Sequence, residues 1–201
     1  MLTKRGLFID FEDFQETNYD QRVLKELNNK LHSDFKLIKF KDCPKEKEEE
    51  MQNMEKESTK MYCRASLMLS ARERELKRKD MLKELSNGNN IITINYCFYK
   101  ISQFLKQEND LNFAKQLFKG AIRPDFIIIQ DHDNNYKELI SDYPIIHKVD
   151  DNKESYISNY IDELVQFYQM TKDNYKSGRD NYKINFYPNS IGEDLFINWP
   201  S

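Results

Sequence analysis

Five short runs of apolar, β-branched or aromatic residues punctuate the chain, at 7–11, 35–40, 91–94, 126–130 and 145–149. In two of them, Ile91-Ile92-Thr93-Ile94 and Phe126-Ile127-Ile128-Ile129, the pattern is continuous. A strand with one wet face alternates, so these runs predict strands covered on both faces. The stretches between them repeat every three to four residues. Val23, Leu24, Leu27 and Leu31 do so, as do Met61, Ala65, Met68, Arg72 and Leu76, the last set switching to a polar face. Ile157, Ile161, Leu164 and Tyr168 make a third stripe, with Ser155 as its cap. Strands alternating with helices predict an α/β fold on a mainly parallel sheet.

Two segments depart from this rhythm. Residues 41–60 are a mixed-charge run with few apolar positions, which predicts a solvated helix face held by i,i+4 pairs. Residues 170–201 have neither period, yet they carry Tyr175, Tyr182, Phe186, Tyr187, Phe196 and Trp199. A solvated linker does not hold that aromatic load, so the segment either wraps its own domain or docks on a partner. The expected organisation is a domain at 1–169 and an aromatic-rich docking arm at 170–201, with those six residues as its candidate contacts.

Composition narrows the function classes. The 201 residues carry 31 basic and 34 acidic side chains, a net charge of −3, which argues against a nucleic-acid surface. No run of 18 apolar residues occurs, so no membrane insertion is expected. Glycine is the most informative count. There are five, well under half the usual share of about 7%, and no two are adjacent. A standard P-loop or dinucleotide fingerprint is therefore excluded. Cys43, Cys63 and Cys97 lie 20 or more residues apart, without metal spacing, and predict reduced thiols in an intracellular protein.

Single residues invite sharper readings that the pattern does not support. Asp131-His132-Asp133 cannot all face one ion from a strand end, so no metal is expected there. His32 and His147 stand in isolation. Cys97 lies beside a strand end but has no nameable partner, and reads as a buried thiol. The stretch from Arg72 to Asp80 mixes both signs and reads as a solvated helix face.

The order of the motifs then resembles one family. Lys4-Arg5-Gly6-Leu7-Phe8-Ile9-Asp10-Phe11-Glu12 is similar to the first strand of thymidylate kinases, which ends in Phe-Glu-Gly. Leu67-Met68-Leu69-Ser70-Ala71-Arg72-Glu73 resembles their Leu-Phe-Ser-Ala-Asn-Arg helix. Leu82, Leu85 and Gly88 match their Leu-x-x-Gly before the third strand, and Arg123-Pro124-Asp125 their Lys-Pro-Asp before the fourth. The resemblance covers about residues 4–168. It implies a P-loop kinase-like three-layer sandwich with a five-stranded parallel sheet and flanking helices.

Catalytic positions of that family are not matched. Where Gly-x-Asp-x-x-Gly-Lys-Ser/Thr should cradle ATP, the chain reads Asp13-Phe14-Gln15-Glu16-Thr17-Asn18-Tyr19-Asp20. Without glycine the backbone cannot approach a phosphate closely, and three carboxylates repel it. The family's Asp-Arg-Tyr is Ile94-Asn95-Tyr96, and its substrate-binding arginine falls on Glu73, flanked by Arg72 and Arg74. Only about 15 residues, from Asp131 to Pro144, replace the basic lid, which is thus deleted. Phosphoryl transfer depends on positioning and charge neutralisation, and both are lost.

The expectation is a catalytically inactive thymidylate kinase-like protein, with no catalytic residue, cofactor or metal, serving as a structural or accessory subunit of a larger protein assembly. Mitochondrial or ciliary assemblies are hosts by analogy, with the cytoplasm otherwise. The alternative is a nucleotide- or nucleoside-binding sensor using Arg72 and Tyr96, and last a divergent thymidylate kinase.

Overall fold

The structure, a computed structural model, describes residues 6–12, 19–31, 34–41, 47–129 and 145–148. The apolar runs pair as parallel strands: β1 (Phe8–Glu12), β2 (Phe35–Ile38), β3 (Asn90–Ile94), β4 (Phe126–Ile129) and β5 (Ile145–Lys148). Their order in the sheet is β2-β3-β1-β4-β5. β1 lies in the middle, with Phe8 opposite Ile91 and Ile9 opposite Phe126. The two continuous isoleucine runs flank it, which explains their lack of alternation: Ile91, Ile92, Ile127 and Ile128 are all buried. The expected α/β class and parallel sheet are present.

Five helices connect these strands among the described residues: α1 (Tyr19–Leu31), α2 (Glu48–Glu57), α3 (Thr59–Ser86), α4 (Phe98–Glu108) and α5 (Leu111–Leu117). The path from β1 to β2 crosses towards one edge of the sheet, and the paths from β2 to β3 and from β3 to β4 return the other way. Right-handed crossovers then place α1 on one face and α2 to α5 on the other. Helix α3 packs on β3 and touches α2, α4 and α5.

Helix α3 differs from its sequence reading in one respect. The stripe through Met61, Ala65, Met68, Arg72 and Leu76 does not face the sheet. Met61, Met68 and Leu76 are 60%, 52% and 59% exposed, whereas Leu67, Ser70, Ala71, Arg74, Met81 and Leu85 are buried. Apolar residues occur on both sides of this helix, and periodicity alone cannot choose between them. Small Ser70 and Ala71 let the backbone approach the sheet, which decides the question. Helices α4 and α5 fall in a stretch for which the sequence reading gives no helical stripe. Phe98, Ile101 and Phe104 supply one at i, i+3, i+6, all three buried. Arg64 pins this pair to α3, bonding Glu108 at 3.0 Å and Asp110 at 2.8 Å with its guanidinium over the Phe113 ring.

Local chemistry sets the helix ends. Ser58 leaves the helical conformation and its hydroxyl accepts from the Met61 amide, separating α2 from α3. α3 stops at Asn87, and Gly88 follows with a φ of +84°, a left-handed value that a side chain resists. The amides of Gly88 and Asn89 then return to the carbonyls of Leu85 and Glu84.

Gly6 is required for a different reason. Its amide donates to Leu85 O at 2.8 Å, and a Cβ at this position would overlap the Asn89 backbone carbonyl. Neither backbone can yield without displacing β1 from β3. Gly6→Ala is expected to cost about 1–3 kcal/mol as an overpacking change, read as a lowered urea midpoint. An unchanged midpoint would remove this account of the glycine.

The expected helix at 155–168, the shortened lid region, Asp131-His132-Asp133 and the six aromatic residues of 170–201 lie outside the described residues, as do residues 13–18 of the altered phosphate loop.

Candidate functional site at the carboxyl end of β1

In a sheet of this order, β1 and β4 send their chains in opposite directions. The crevice at their carboxyl ends is where α/β folds place ligands. Two acidic residues reach this point from β1. Strand side chains alternate, so Asp10 and Glu12 point to the same face. Both are fully buried, an unusual position for carboxyl groups unless they are partnered.

Glu12 is partnered by the start of α4. Its Oε1 accepts from the amides of Cys97 at 3.0 Å and Phe98 at 2.9 Å, and its Oε2 from the amide of Tyr99 at 2.7 Å. The cap position itself is Cys97, whose side chain makes no capping bond. A carboxylate 85 residues earlier in the chain (97 − 12) thus satisfies the amides that a helix leaves unpaired and meets the positive end of its dipole. Such an amide cluster is a ready-made anion site. Here the protein's own carboxylate fills it.

Asp10 grips the turn between β3 and α4. Thr93 Oγ1 donates to its Oδ1 at 2.6 Å and the Tyr96 amide at 3.3 Å. Its Oδ2 has no hydrogen-bond partner among the described residues. Burial, and then the Glu12 charge beside it, hold the Asp10 carboxyl well above the ordinary value of 3.8. Both causes favour the neutral form of this acid.

Arg74 supplies the opposite charge from α3 and is only 3% exposed. Its Nε donates to Tyr96 O, its Nη2 to Asn95 O at 2.7 Å and its Nη1 to Ser70 O at 2.9 Å. The guanidinium also lies 4.7 Å over the Phe40 ring. The turn it holds needs such support, because Asn95 has a φ of +54°. In the sequence Arg74 stands out only as a neighbour of the family's substrate position. Its place four residues from Ser70 and seven from Leu67, on the buried stripe, is the signal that could have found it.

The residues singled out for nucleoside binding are not brought together. Tyr96 is fully buried, its hydroxyl accepts from the Ile122 amide at 3.0 Å, and its ring packs edge-on to Phe8 at 5.3 Å. Burial pushes its phenol far up from 10.0. Arg72 is exposed on the opposite side of α3, and Glu73 pairs with Lys77 at 3.2 Å. Cys97 is fully buried, and burial followed by the Glu12 charge drives its thiol well above 9.0. An un-ionised, enclosed thiol is not a nucleophile.

The arrangement is chemically self-contained. One carboxylate caps a helix, one carboxyl is pushed towards its neutral form, and one guanidinium is spread over carbonyls. Asparagine is a neutral isostere of a protonated aspartic acid, which gives a test at Asp10. A carboxyl whose folded pKa is raised has its full stabilising share only below the unfolded value near 3.8, and loses it as pH rises towards the folded value. Asp10→Asn is thus expected to flatten that acid-to-neutral decline and to be more stable relative to wild type at neutral pH than at acid pH. Urea midpoints taken across that range check it, and parallel pH profiles for the two proteins would contradict it.

Among the described residues no three His, Cys, Asp or Glu side chains are grouped to hold a metal, and no helix is long and apolar enough to cross a membrane. No protein-family model and no curated protein matches the sequence. Among solved structures the chain is similar to a thymidylate kinase from Candida albicans, at 19% identity over 81% of this chain and 77% of that one, with a TM-score of 0.46.

Proposed function

We propose that this chain is a catalytically inactive, thymidylate kinase-like protein that serves as a structural or accessory subunit of a larger intracellular assembly, docking through residues 170–201. One observation carries the reading. At the carboxyl end of β1, Glu12 occupies the amide cluster that begins α4, so this anion-binding position is filled by the protein's own carboxylate. The sequence supports it from the other side, since residues 13–20 contain no glycine or lysine and three carboxylates. A domain that has turned its polar groups inward keeps a scaffold, and the aromatic load of residues 170–201 gives that scaffold something to bind with. The nucleotide-sensor reading loses Tyr96 as a contact, because that side chain is enclosed in the core.

The deciding experiment is the native size of the endogenous protein in a gentle lysate, with mass spectrometry of its companions. The expected result is migration far above 24.2 kDa with a fixed set of partners, and release when residues 170–201 are deleted from an otherwise folded chain. A free monomer or dimer in the lysate overturns the reading. So does ADP release with thymidine monophosphate at kinase rates of about 1–100 per second.

A further inference from the structure

The large hydrophobic side chains that are exposed among the described residues are three, and all lie on one helix. Met61, Met68 and Leu76 project from the outer face of α3. At 100° per residue they fall within a stripe about 80° wide, and Arg72 and Lys79, both exposed, sit on the same stripe. The acid at its margin, Glu75, is bonded to Arg78 at 2.8 Å. This face therefore interleaves apolar and basic side chains, with Arg72 between Met68 and Leu76 and Lys79 just beyond, which asks for an occupant that carries both apolar and acidic groups.

One segment of the same chain has that composition. Glu193-Asp194-Leu195-Phe196-Ile197-Asn198-Trp199 places two carboxylates directly before three large apolar residues, with Trp199 two positions further on. Reach is not a constraint. Forty-five residues (193 − 148) separate Glu193 from the end of β5, a contour of about 150 Å at 3.3 Å per residue. Helix α3, at 28 residues, is about 42 Å long. Methionine is also a favourable partner for aromatic rings, because its thioether is polarisable and its side chain adapts.

We propose that in the unassembled protein residues 193–199 rest on the outer face of α3, with Phe196 and Trp199 covering Met68 and its neighbours and Glu193 and Asp194 facing Arg72 and Lys79. The inference builds on the reading of 170–201 as a docking arm and states where its end is held before a partner takes it. An arm stored in this way shields its aromatics from solvent and competes with the partner for them, so releasing it raises the apparent affinity for the partner.

The single tryptophan of the chain, Trp199, reports directly on this contact. In the purified full-length protein its emission is expected to be blue-shifted and protected from acrylamide, independently of protein concentration. Met68→Lys with Leu76→Lys should shift it to the red and raise quenching several-fold. Both substitutions are on exposed positions, and unchanged urea midpoints will show that the fold persists. Arg72→Glu with Lys79→Glu should do the same, and adding Glu193→Lys with Asp194→Lys should restore the blue emission. A solvent-exposed Trp199 in the wild-type protein overturns the inference, as does a buried one that ignores the α3 substitutions. A blue shift that grows with protein concentration also overturns it and points to a second copy as the occupant. None of these outcomes depends on the endogenous assembly, so failure here leaves the subunit reading standing on its own test.

Discussion

Glu12→Ala is expected to be among the most destabilising single substitutions in the α/β core, with a loss of about 3–5 kcal/mol. The carboxylate accepts three backbone amides at the start of α4 and is fully buried. Hydrogen bonds to a charged group contribute about 1.5–3 kcal/mol each, though not additively, and a buried donor left unpaired costs about 1–3 kcal/mol. The loss of charge at a helix N-terminus adds a smaller term. Water cannot repair the damage easily, because Cys97 and Phe98 beside these amides are also fully buried. Glu12→Gln is the informative companion. One oxygen remains to accept, while the amide nitrogen faces donors, so the loss should be roughly half as large. Urea denaturation of both variants checks the order. If Glu12→Ala unfolds within about 1 kcal/mol of wild type, the amides have found other partners, and a helix start held by this carboxylate no longer describes the site.

The second large effect is expected at Arg74. Arg74→Met keeps the apolar stem but removes the donors to Tyr96 O, Asn95 O and Ser70 O and the charge above Phe40. Two loop carbonyls are then left without that donor in a buried turn, and Asn95 keeps its left-handed conformation with less support. A loss of about 3 kcal/mol follows from the hydrogen bonds that the guanidinium no longer donates, with about 1 kcal/mol more from the lost cation–π contact. Arg74→Lys should recover only part of it, since one ammonium cannot serve three separated carbonyls in a fixed fork. Glu12 and Arg74 hold the two ends of the same turn, so their effects should not add. The Glu12→Ala/Arg74→Met double variant is expected to lose less than the sum by more than about 0.5 kcal/mol. Strict additivity in that cycle would mean that the two side chains stabilise separate structures.

The contrast between these two residues shows what a reader of the chain can reach. Glu12 is visible as the end of an apolar run, but its role is not, because its partners are amides 85 to 87 positions away. Amides carry no residue-type signature. Arg74 stands in a charged stretch whose mixed signs suggest a solvated face, and Arg72, Glu75 and Lys79 do behave that way. Tyr96 illustrates the opposite error. Its position after a strand end marks it for ligand contact, whereas its hydroxyl is engaged by Ile122 and its ring by Phe8 and Phe40.

Local chemistry by itself determined the strands, though not helices α4 and α5. Continuous β-branched runs could only be strands covered on both faces, and alternation with helical stretches left a parallel sheet as the economical arrangement. The absence of glycine after Glu12 likewise bears on phosphate binding without reference to any fold, since a backbone lacking glycine cannot approach a phosphate closely. Tertiary structure decided everything that depends on which face meets which. It selected Leu67, Ala71, Met81 and Leu85 over Met61, Met68 and Leu76 as the buried side of α3. It also set two carboxyl groups from one strand under a turn formed some 85 residues later, where burial raises the pKa of one of them and three amides hold the other. The physical reason is common to both cases. A periodic pattern is a property of neighbours in the chain, whereas desolvation and hydrogen-bond satisfaction are properties of neighbours in space.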